Sequence, residues 1–176
     1  GAGSLISANH LYRVVKPDGL TIGHFLGGLF FNQLFGLPGI EFDARRFEYL
    51  GAPLADNPVC VAMKATGIDS MDKWLAAKTP LKMAGNAPGA VTDDIPKILK
   101  AAIGLPVQVV AGYKGSADMR LAAESGEVGG ICVGWDAVRS TWRKGIDSGD
   151  AKVVFQALPK AHAELAKVPL AINYAK

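Results

Sequence analysis

The sequence predicts an α/β fold, and three observations support this prediction. Segments rich in apolar and β-branched residues alternate with segments whose apolar residues have helical spacing along most of the chain. Glycine turns connect several predicted strands to the helices that follow them. The composition, with 49% hydrophobic and 20% charged residues, is typical of a globular protein with a core of its own. Such alternation favours a largely parallel sheet, in which ligands bind at the carboxyl ends of the strands.

The predicted elements follow one another from the first residues onward. A glycine turn at 1–4 precedes a helix at 5–15, with Ser4 as its N-cap; an expression scar in front of the helix is the alternative interpretation. The predicted strands are 20–25, 47–50, 57–64, 81–84, 107–111, 128–133 and 152–157. The other predicted helices are 27–35, 70–77, 91–103, 116–124, 135–142 and 170–175.

Local signals bound these elements. Pro-Asp-Gly at 17–19 makes a turn before the first strand, and Leu-Pro-Gly at 37–39 ends the second helix. Ser70 is a natural N-cap for the third helix, and Pro80 stops it. Gly126 closes the helix at 116–124.

Composition and charge exclude several classes of protein. A length of 176 residues predicts one domain or two small ones. The net charge is only +3 and the basic residues are scattered, which argues against nucleic acid as a partner. The longest apolar run, 25–31, is too short to span a membrane. No signal peptide is visible, and the opening Gly-Ala-Gly suggests that residues are missing before it.

The segment 83–90, Met-Ala-Gly-Asn-Ala-Pro-Gly-Ala, is the strongest candidate for a binding site. It connects a short strand to a helix, whose first N–H groups lack intrahelical partners and whose dipole adds positive charge. Gly85 and Gly89 have no Cβ, so a ligand can approach the backbone closely. The turn therefore predicts a site for a carboxylate or a phosphate. A plain strand-to-helix loop is the alternative.

Two more turns, at 112–116 and 134–136, also follow predicted strands. Because ligands bind where parallel strands end, these turns are expected at the same sheet edge as the turn at 85–90. Thr92 can add a hydroxyl from the first turn of its helix. Ser116 fits a helix N-cap better than a ligand contact.

Five side chains near predicted strand ends have two interpretations each. Lys114 either contacts a ligand or points to solvent, and Trp135 either contacts a ligand or packs. Asp118 and Asp136 lie in first helical turns, where the dipole stabilises a carboxylate without any ligand. If Asp136 faces the site, it would select a ligand amine or a protonated group. His24 either donates to a carboxylate or is exposed.

The sequence lacks the common catalytic and metal-binding motifs. Its three histidines are scattered, so no bound metal is expected. Cys132 lies within a predicted strand, which argues against a catalytic thiolate, and no Gly-x-Ser-x-Gly is present. Asp93 and Asp94 are expected on a solvated helix face, because adjacent helical residues do not face each other.

The two cysteines, Cys60 and Cys132, both lie in apolar strand-like runs. Two cysteines are too few to indicate a cellular compartment. Buried free thiols and a single disulfide are both compatible with the sequence.

Five short motifs keep the order and spacing that they have in one known family. They are Gly-Ala-Gly-Ser at 1–4, Pro-Asp-Gly-Leu-Thr-Ile at 17–22, Gly-Asn-Ala-Pro-Gly at 85–89, Tyr-Lys-Gly at 113–115 and Gly-Glu-Val at 126–128. Together they resemble the receptors of tripartite tricarboxylate transporters, the TctC or Bug family of periplasmic solute-binding proteins. The resemblance extends over nearly the whole chain.

The resemblance implies the type II periplasmic-binding-protein fold, with two lobes joined by crossing strands at 59–63 and 152–156. Residues 1–63 plus 152–176 would form an incomplete first lobe, and residues 64–151 the second lobe. The family has a strand, a glycine-rich loop and a helix before the first motif and continues beyond residue 176, so we expect a chain truncated at both ends. An incomplete sheet has an exposed edge, which favours a dimer.

The resemblance also implies a function. A periplasmic protein of this family would capture a small organic carboxylate in an interlobe cleft and deliver it to the permease subunits of a membrane transporter. The ligand would be a di- or tricarboxylate, or an amino dicarboxylate, and no catalysis is expected. A carboxylate sensor for a signalling partner and a small α/β enzyme acting on a carboxylate or phosphate ester are the alternatives.

The predicted ligand-binding residues come from two glycine turns and the candidates above. They are Gly3, Ser4, His24, Gly85, Asn86, Ala87, Gly89, Ala90, Thr92, Lys114, Trp135 and Asp136. Two helix N-termini on opposite lobes would suit a dicarboxylate, since each charge-assisted hydrogen bond contributes roughly 1.5–3 kcal/mol. No catalytic residue, metal ligand or cofactor is predicted.

Overall fold

The computed structural model describes residues 4–52 and 55–175. The chain divides into two compact units. The first comprises Gly1–Ala55 with Ala87–Ala90, and the second comprises Asp56–Asn86 with Val91–Lys176. These units differ from the predicted lobes, whose boundaries at 63/64 and 151/152 stay a prediction.

The first unit is built from short helices around a small apolar core. Its elements are α1 (Leu5–Arg13), α2 (Leu29–Leu34) and a 3₁₀ turn (Ala44–Arg46). Ala8, Leu29 and Phe42 are buried at the centre. The ring of Phe47 packs on the ring of Phe42, with 5.6 Å between their centroids. Aromatic packing of this kind therefore holds the unit together.

The strands predicted at 20–25 and 47–50 are wrong, because no strand is present in the described part of the first unit. A strand needs a neighbour to pair with, and both segments run without one among the described residues. Leu20 and Ile22, whose apolar character suggested a buried strand, are 87% and 77% exposed.

The second unit contains a five-stranded sheet. Its strands are β1 (Pro58–Met63), β2 (Leu81–Ala84), β3 (Val107–Val110), β4 (Gly130–Gly134) and β5 (Ala151–Gln156), in the spatial order β3-β2-β4-β1-β5. β2 pairs in parallel with β3 and β4, whereas β1 pairs antiparallel with β4 and β5. The sheet is therefore mixed: β2, β3, β4 and β5 run in one direction, and β1, which lies between β4 and β5, runs in the other.

Helices connect and cover these strands. They are α3 (Met71–Leu75), α4 (Val91–Ile103), α5 (Ser116–Glu124), α6 (Trp135–Ala137) and α7 (Arg143–Ser148), with a π-helical turn (Val138–Trp142) between the last two and 3₁₀ turns at Lys64–Thr66, Ala163–Leu165 and Ala171–Tyr174. The bounds of α4 and α5 are those predicted. The predicted final helix is only a 3₁₀ turn. Across the described ranges, no helix combines the length and the apolar character needed to cross a bilayer.

Two serines were predicted to be helix N-caps, Ser70 for α3 and Ser116 for α5, and the structure confirms only the first. The hydroxyl of Ser70 accepts a hydrogen bond from the N–H of Lys73 at 3.3 Å, so its predicted role as N-cap is confirmed. Ser116 is instead the first helical residue of α5, and Gly115 occupies the N-cap position.

The core of the second unit lies on both faces of the sheet. Val59 and Val61 of β1 belong to one apolar cluster, and Cys60 and Ala62 belong to the other. Side chains alternate between the two faces of a strand, so β1 is buried from both sides. Helices α5 and α7 with the π turn cover the first face, and α3 and α4 cover the second.

A disulfide joins Cys60 of β1 to Cys132 of β4. The two residues lie directly opposite each other in the antiparallel pair, with 4.0 Å between their Cα atoms. Of the two states that the sequence left open, the structure has the disulfide. This bond is compatible with an oxidising compartment such as the periplasm.

Candidate functional site

Three loops leave the sheet at the same edge. Because β2, β3 and β4 run parallel, their carboxyl ends meet there, and the segments that follow them, beginning at Gly85, Ala111 and Trp135, all start from this edge. The expectation that these turns share one edge is confirmed. This is where ligands bind in open α/β sheets.

The turns after β2 and β3 are bonded to each other. The Gly85 N–H donates to the carbonyl of Val110 at 2.8 Å, and the Tyr113 N–H donates to the carbonyl of Gly85 at 3.1 Å. The side-chain amide of Asn86 donates to the carbonyl of Tyr113 at 2.7 Å. The side chain of Asn86 is thus hydrogen-bonded within the chain, and hydrogen bonds hold the two turns together.

Two side chains in the first turn of α4 accept hydrogen bonds from the turn after β2. The backbone N–H of Asn86 donates to Oδ2 of Asp93 at 2.7 Å and to the hydroxyl oxygen of Thr92 at 3.1 Å. The hydroxyl of Thr92 lies 3.1 Å from the same Oδ2. Asn86 and Thr92 were both predicted to bind a ligand, but the N–H of Asn86 and the hydroxyl of Thr92 already have partners within the chain.

Asp93 corrects the prediction of a solvated face for the Asp93–Asp94 pair. Its side chain is fully buried at the N-terminal end of α4, and its carboxylate accepts a hydrogen bond from the N–H of Asn86 in the preceding turn. Sequence reasoning missed it because adjacent acidic residues in a first helical turn usually face solvent. The signal that was present is the position itself, three residues into a helix, where carboxylates reach back to free N–H groups.

Gly85 makes room for this carboxylate. A Cβ at this position would lie 2.8 Å from Oδ2 of Asp93 and 2.6 Å from Cγ1 of Val109. The space that we expected a ligand to use at Gly85 is thus taken by side chains of the chain itself.

The loop Ala87–Ala90 belongs to the first unit. Gly89 has φ +88°, and a Cβ there would lie 2.9 Å from the side-chain nitrogen of Asn32. The Asn32 side chain donates to the carbonyl of Pro88 at 3.3 Å, and the Ala90 N–H donates to the carbonyl of Ala87 at 3.0 Å. The loop is therefore a folded turn that requires glycine at position 89.

Tyr113 and Lys114 follow β3. The Tyr113 hydroxyl donates to Oε1 of Glu127 at 2.6 Å, and this hydrogen bond is the main reason why the pKa of Tyr113 is raised to about 12. The side chain of Lys114 is exposed. The tyrosine therefore stays neutral and hydrogen-bonded under ordinary conditions.

Trp135 and Asp136, which follow β4, belong to a polar cluster. The indole N–H of Trp135 donates to Glu164 at 3.0 Å, and Arg139 bridges Glu164 at 2.7 Å and Asp136 at 3.1 Å. The hydrogen bond from Trp135 is the main cause of a lowered pKa at Glu164. Asp136 is thus paired with Arg139 of the π-helical turn that follows α6. Trp135 is hydrogen-bonded to Glu164 of the 3₁₀ turn at Ala163–Leu165.

Asp56 lies just before β1, at the same sheet edge, and sequence reasoning missed it. Burial is the main reason why its pKa is raised, and the charge of Asp136 adds to the effect. A search for turns that follow strands cannot find this residue, because it precedes an antiparallel strand.

The remaining predicted residues lie in the first unit. Gly3 is outside the described residues. Ser4 stands at the N-cap position of α1, but its side chain makes no cap bond there, and its Oγ accepts from the Leu26 N–H at 3.4 Å. His24 is exposed and lines, together with His10, an open groove of about 460 Å³. Among residues 4–52 and 55–175 there is no cluster of three or more His, Cys, Asp or Glu suited to a metal ion.

The fold is similar to solved structures of periplasmic binding proteins. A periplasmic transporter matches with a TM-score of 0.79 and 19% identity, over 98% of this chain and 58% of its own. The periplasmic binding protein BugD matches with a TM-score of 0.72 and 19% identity, over 98% of this chain and 57% of its own. Rpa4515 of R. palustris, solved with adipate, matches with a TM-score of 0.64 and 16% identity, over 77% of this chain and 45% of its own.

These similarities establish the fold. The chain has the α/β fold of Bug/TctC-type periplasmic binding proteins, as its motifs predicted. It spans 45 to 58% of the length of the three proteins. The first two of these neighbours are named as a periplasmic transporter and a periplasmic binding protein. No known family model matches the sequence, and no curated protein matches it.

Proposed function

We propose that this chain is part of a periplasmic solute-binding protein that captures a small organic carboxylate and delivers it to a membrane permease. The observation that carries the proposal is the shared fold with a receptor solved with adipate, a six-carbon dicarboxylate. BugD, a periplasmic binding protein of the same fold, supports the periplasmic location. The disulfide is compatible with that compartment.

The proposed contacts lie in the loops that follow parallel strands. The backbone of Ala87–Ala90 is the first candidate, since it forms a glycine-containing turn directly before α4, where the helix dipole favours an anion. Lys114 is exposed on the loop that follows β3 and is proposed to supply a cation. Gly3, Ser4 and His24 remain proposed contacts from the first unit.

The polar cluster after β4 gives the proposed site a way to distinguish ligands. Trp135 is the only tryptophan in the described chain that is not buried, since Trp74 and Trp142 are 0% and 2% exposed. Asp136 is already paired with Arg139. A ligand that carries an amine would compete with Arg139 for this carboxylate, whereas a simple dicarboxylate would not.

The experiment is a titration of the protein with four- to seven-carbon di- and tricarboxylates, including adipate. A ligand that binds only the folded state raises the melting temperature. At a hundredfold excess over Kd, it adds about 2.7 kcal/mol to the free energy of unfolding. Tryptophan emission is followed in parallel, with Trp135→Phe as the control that shows whether the signal comes from the site. Glutamate and aspartate test the amino dicarboxylate arm.

A rise in melting temperature with one or a few acids supports the proposal and gives the ligand class. If no acid stabilises the folded protein and none changes its emission, carboxylate binding by this chain is rejected. The permease partner is tested separately, by transport into cells that contain or lack the receptor.

A further inference from the structure

We propose that Asp93 is the positioning residue of the turn after β2: its buried carboxylate fixes the backbone of Asn86 and so sets where the loop 87–90 begins. The consequence for ligand binding rests on the proposed function. The consequence for the turn itself does not, since it follows from contacts within the second unit.

The first support is the way in which the carboxylate is buried. The side chain of Asp93 is 0% exposed, and Oδ2 lies within hydrogen-bond distance of two donors, the Asn86 N–H and the Thr92 hydroxyl. Burying a carboxylate is costly unless it is hydrogen-bonded, so these contacts must be kept in the folded state.

The second support is the asymmetry between the two carboxylate oxygens. Oδ1 is buried and accepts no hydrogen bond from the described residues. Lys97, one turn further along α4, places its ammonium 3.7 Å from Oδ1, and that side chain is 55% exposed. The strong contacts of Asp93 are therefore those that face the turn, and Lys97 only balances part of its charge.

The third support is the shape of the turn. Gly85 has no Cβ at the point where one would meet Oδ2 of Asp93 at 2.8 Å. The Asn86 N–H lies at a partly buried position, so an acceptor within the chain stabilises the turn. Asp93 and Thr92 supply that acceptor from within the chain, and the glycine lets them approach.

The test measures the hydrogen bond directly in the native protein by NMR. A scalar coupling across the hydrogen bond, from the Asn86 amide nitrogen to the Asp93 carboxyl carbon, is expected in a long-range HNCO experiment. The Asn86 amide proton is also expected to resonate downfield and to exchange slowly with solvent. Absence of the coupling, together with rapid exchange of this amide, would overturn the proposal.

Two variants and one matched control separate the acceptor from the charge. In Asp93→Ala the Asn86 amide should exchange about tenfold faster or more, as expected for a lost hydrogen bond to a charged group. Asp93→Asn keeps an acceptor oxygen, so it should stay within about threefold of the native rate. Asp94→Asn makes the same chemical change one residue away and should leave the Asn86 signal unchanged. An Asn86 amide that exchanges at the native rate in a native-like Asp93→Ala protein would contradict a positioning role.

The ligand arm uses adipate as its probe. If the native protein binds adipate, Asp93→Ala should weaken binding about tenfold, and Asp93→Asn should restore it. Loss of binding in both variants would reject the positioning role, because the acceptor alone would then not suffice. If the native protein binds no acid, the proposed function fails, and the Asn86 coupling still decides the role of Asp93 in the turn.

Discussion

Cys60 lies directly opposite Cys132 in the antiparallel pair of β1 and β4, and the disulfide between them closes a loop of 72 positions. A cross-link of this span restricts the unfolded chain. By the chain-entropy argument it contributes about 4 kcal/mol to the free energy of unfolding.

The double variant Cys60→Ala/Cys132→Ala should therefore unfold at a lower urea concentration than the native protein. The measurement is equilibrium urea unfolding followed by circular dichroism. Native protein unfolded in the presence of a reductant is the control, because its two thiols are still present. An unchanged midpoint in both samples would contradict the prediction.

Gln156 provides a second prediction. Its fully buried side-chain amide donates to the carbonyls of Leu165 and Val168 at 3.0 and 2.7 Å, and its oxygen accepts from the His162 N–H at 2.8 Å. Gln156→Ala should cost about 3 kcal/mol of stability, since each hydrogen bond contributes about 1 kcal/mol. Thermal unfolding measures the loss. Gln156→Glu tests the mechanism, because a carboxylate facing two carbonyls should destabilise most above neutral pH and less in acid.

The fluorescence of Trp135 should report the protonation of Glu164. The pKa of Glu164 is lowered from its usual value of 4.5, chiefly by the hydrogen bond from Trp135. A lowered carboxyl pKa contributes stability that is present above the unfolded value and is lost as the pH falls through the folded value. Tryptophan emission should therefore change as the pH is lowered below about 4.5. Glu164→Gln should remove this transition, and its persistence in that variant would disprove the assignment.

Tyr113 should ionise at a higher pH than a tyrosine of ordinary pKa. The hydrogen bond to Glu127 raises its pKa to about 12. A raised pKa contributes stability that is complete below the unfolded value and is lost as the pH rises through the folded value. An alkaline titration followed by absorbance near 295 nm should show a component that ionises near pH 12. Glu127→Gln should lower the pH at which this component ionises, and Tyr113→Phe should remove it.

Gly89 tests the proposed anion contact. Gly89→Asp should abolish carboxylate binding, because it places a like charge beside the N-terminus of α4. The matched control is Gly89→Ala, which carries the cost of φ +88° and of the contact with Asn32, but no charge. Calorimetric titration with adipate should show weaker binding in Gly89→Ala and none in Gly89→Asp. Native affinity in Gly89→Asp would reject the site.

The sequence predicted best those elements whose signals are local. Helices α4 and α5 have an apolar stripe and a bounding turn of their own, and their observed bounds are the predicted ones. The segment 20–25 has the composition of a strand, but a strand depends on a partner that the segment itself does not specify. The same reason explains the reversed direction of β1 in the sheet.

The candidate site was predicted in outline only. The parallel strands and their loops could be predicted, because strand-like segments, glycine turns and helix-like segments follow one another in the sequence. The burial of Asp93 and the pairing of Asp136 with Arg139 could not, since both depend on which face of a helix meets the sheet. Glycine at 85 and 89 signalled close approach correctly, but the approaching atoms belong to Asp93 and Asn32.

The central place of β1 has a consequence for how the protein is made. Both neighbours of β1 in the sheet, β4 and β5, come later in the chain, and Cys132 follows Cys60 by 72 positions. At a synthesis rate of about 5–20 residues per second, β1 waits about 4–14 s before its first partner exists. During that time four side chains that are fully buried in the finished fold (Val59, Cys60, Val61 and Ala62) are exposed on an unpaired strand. Until β4 is available, this segment exposes apolar side chains together with unpaired backbone groups, a combination that favours aggregation.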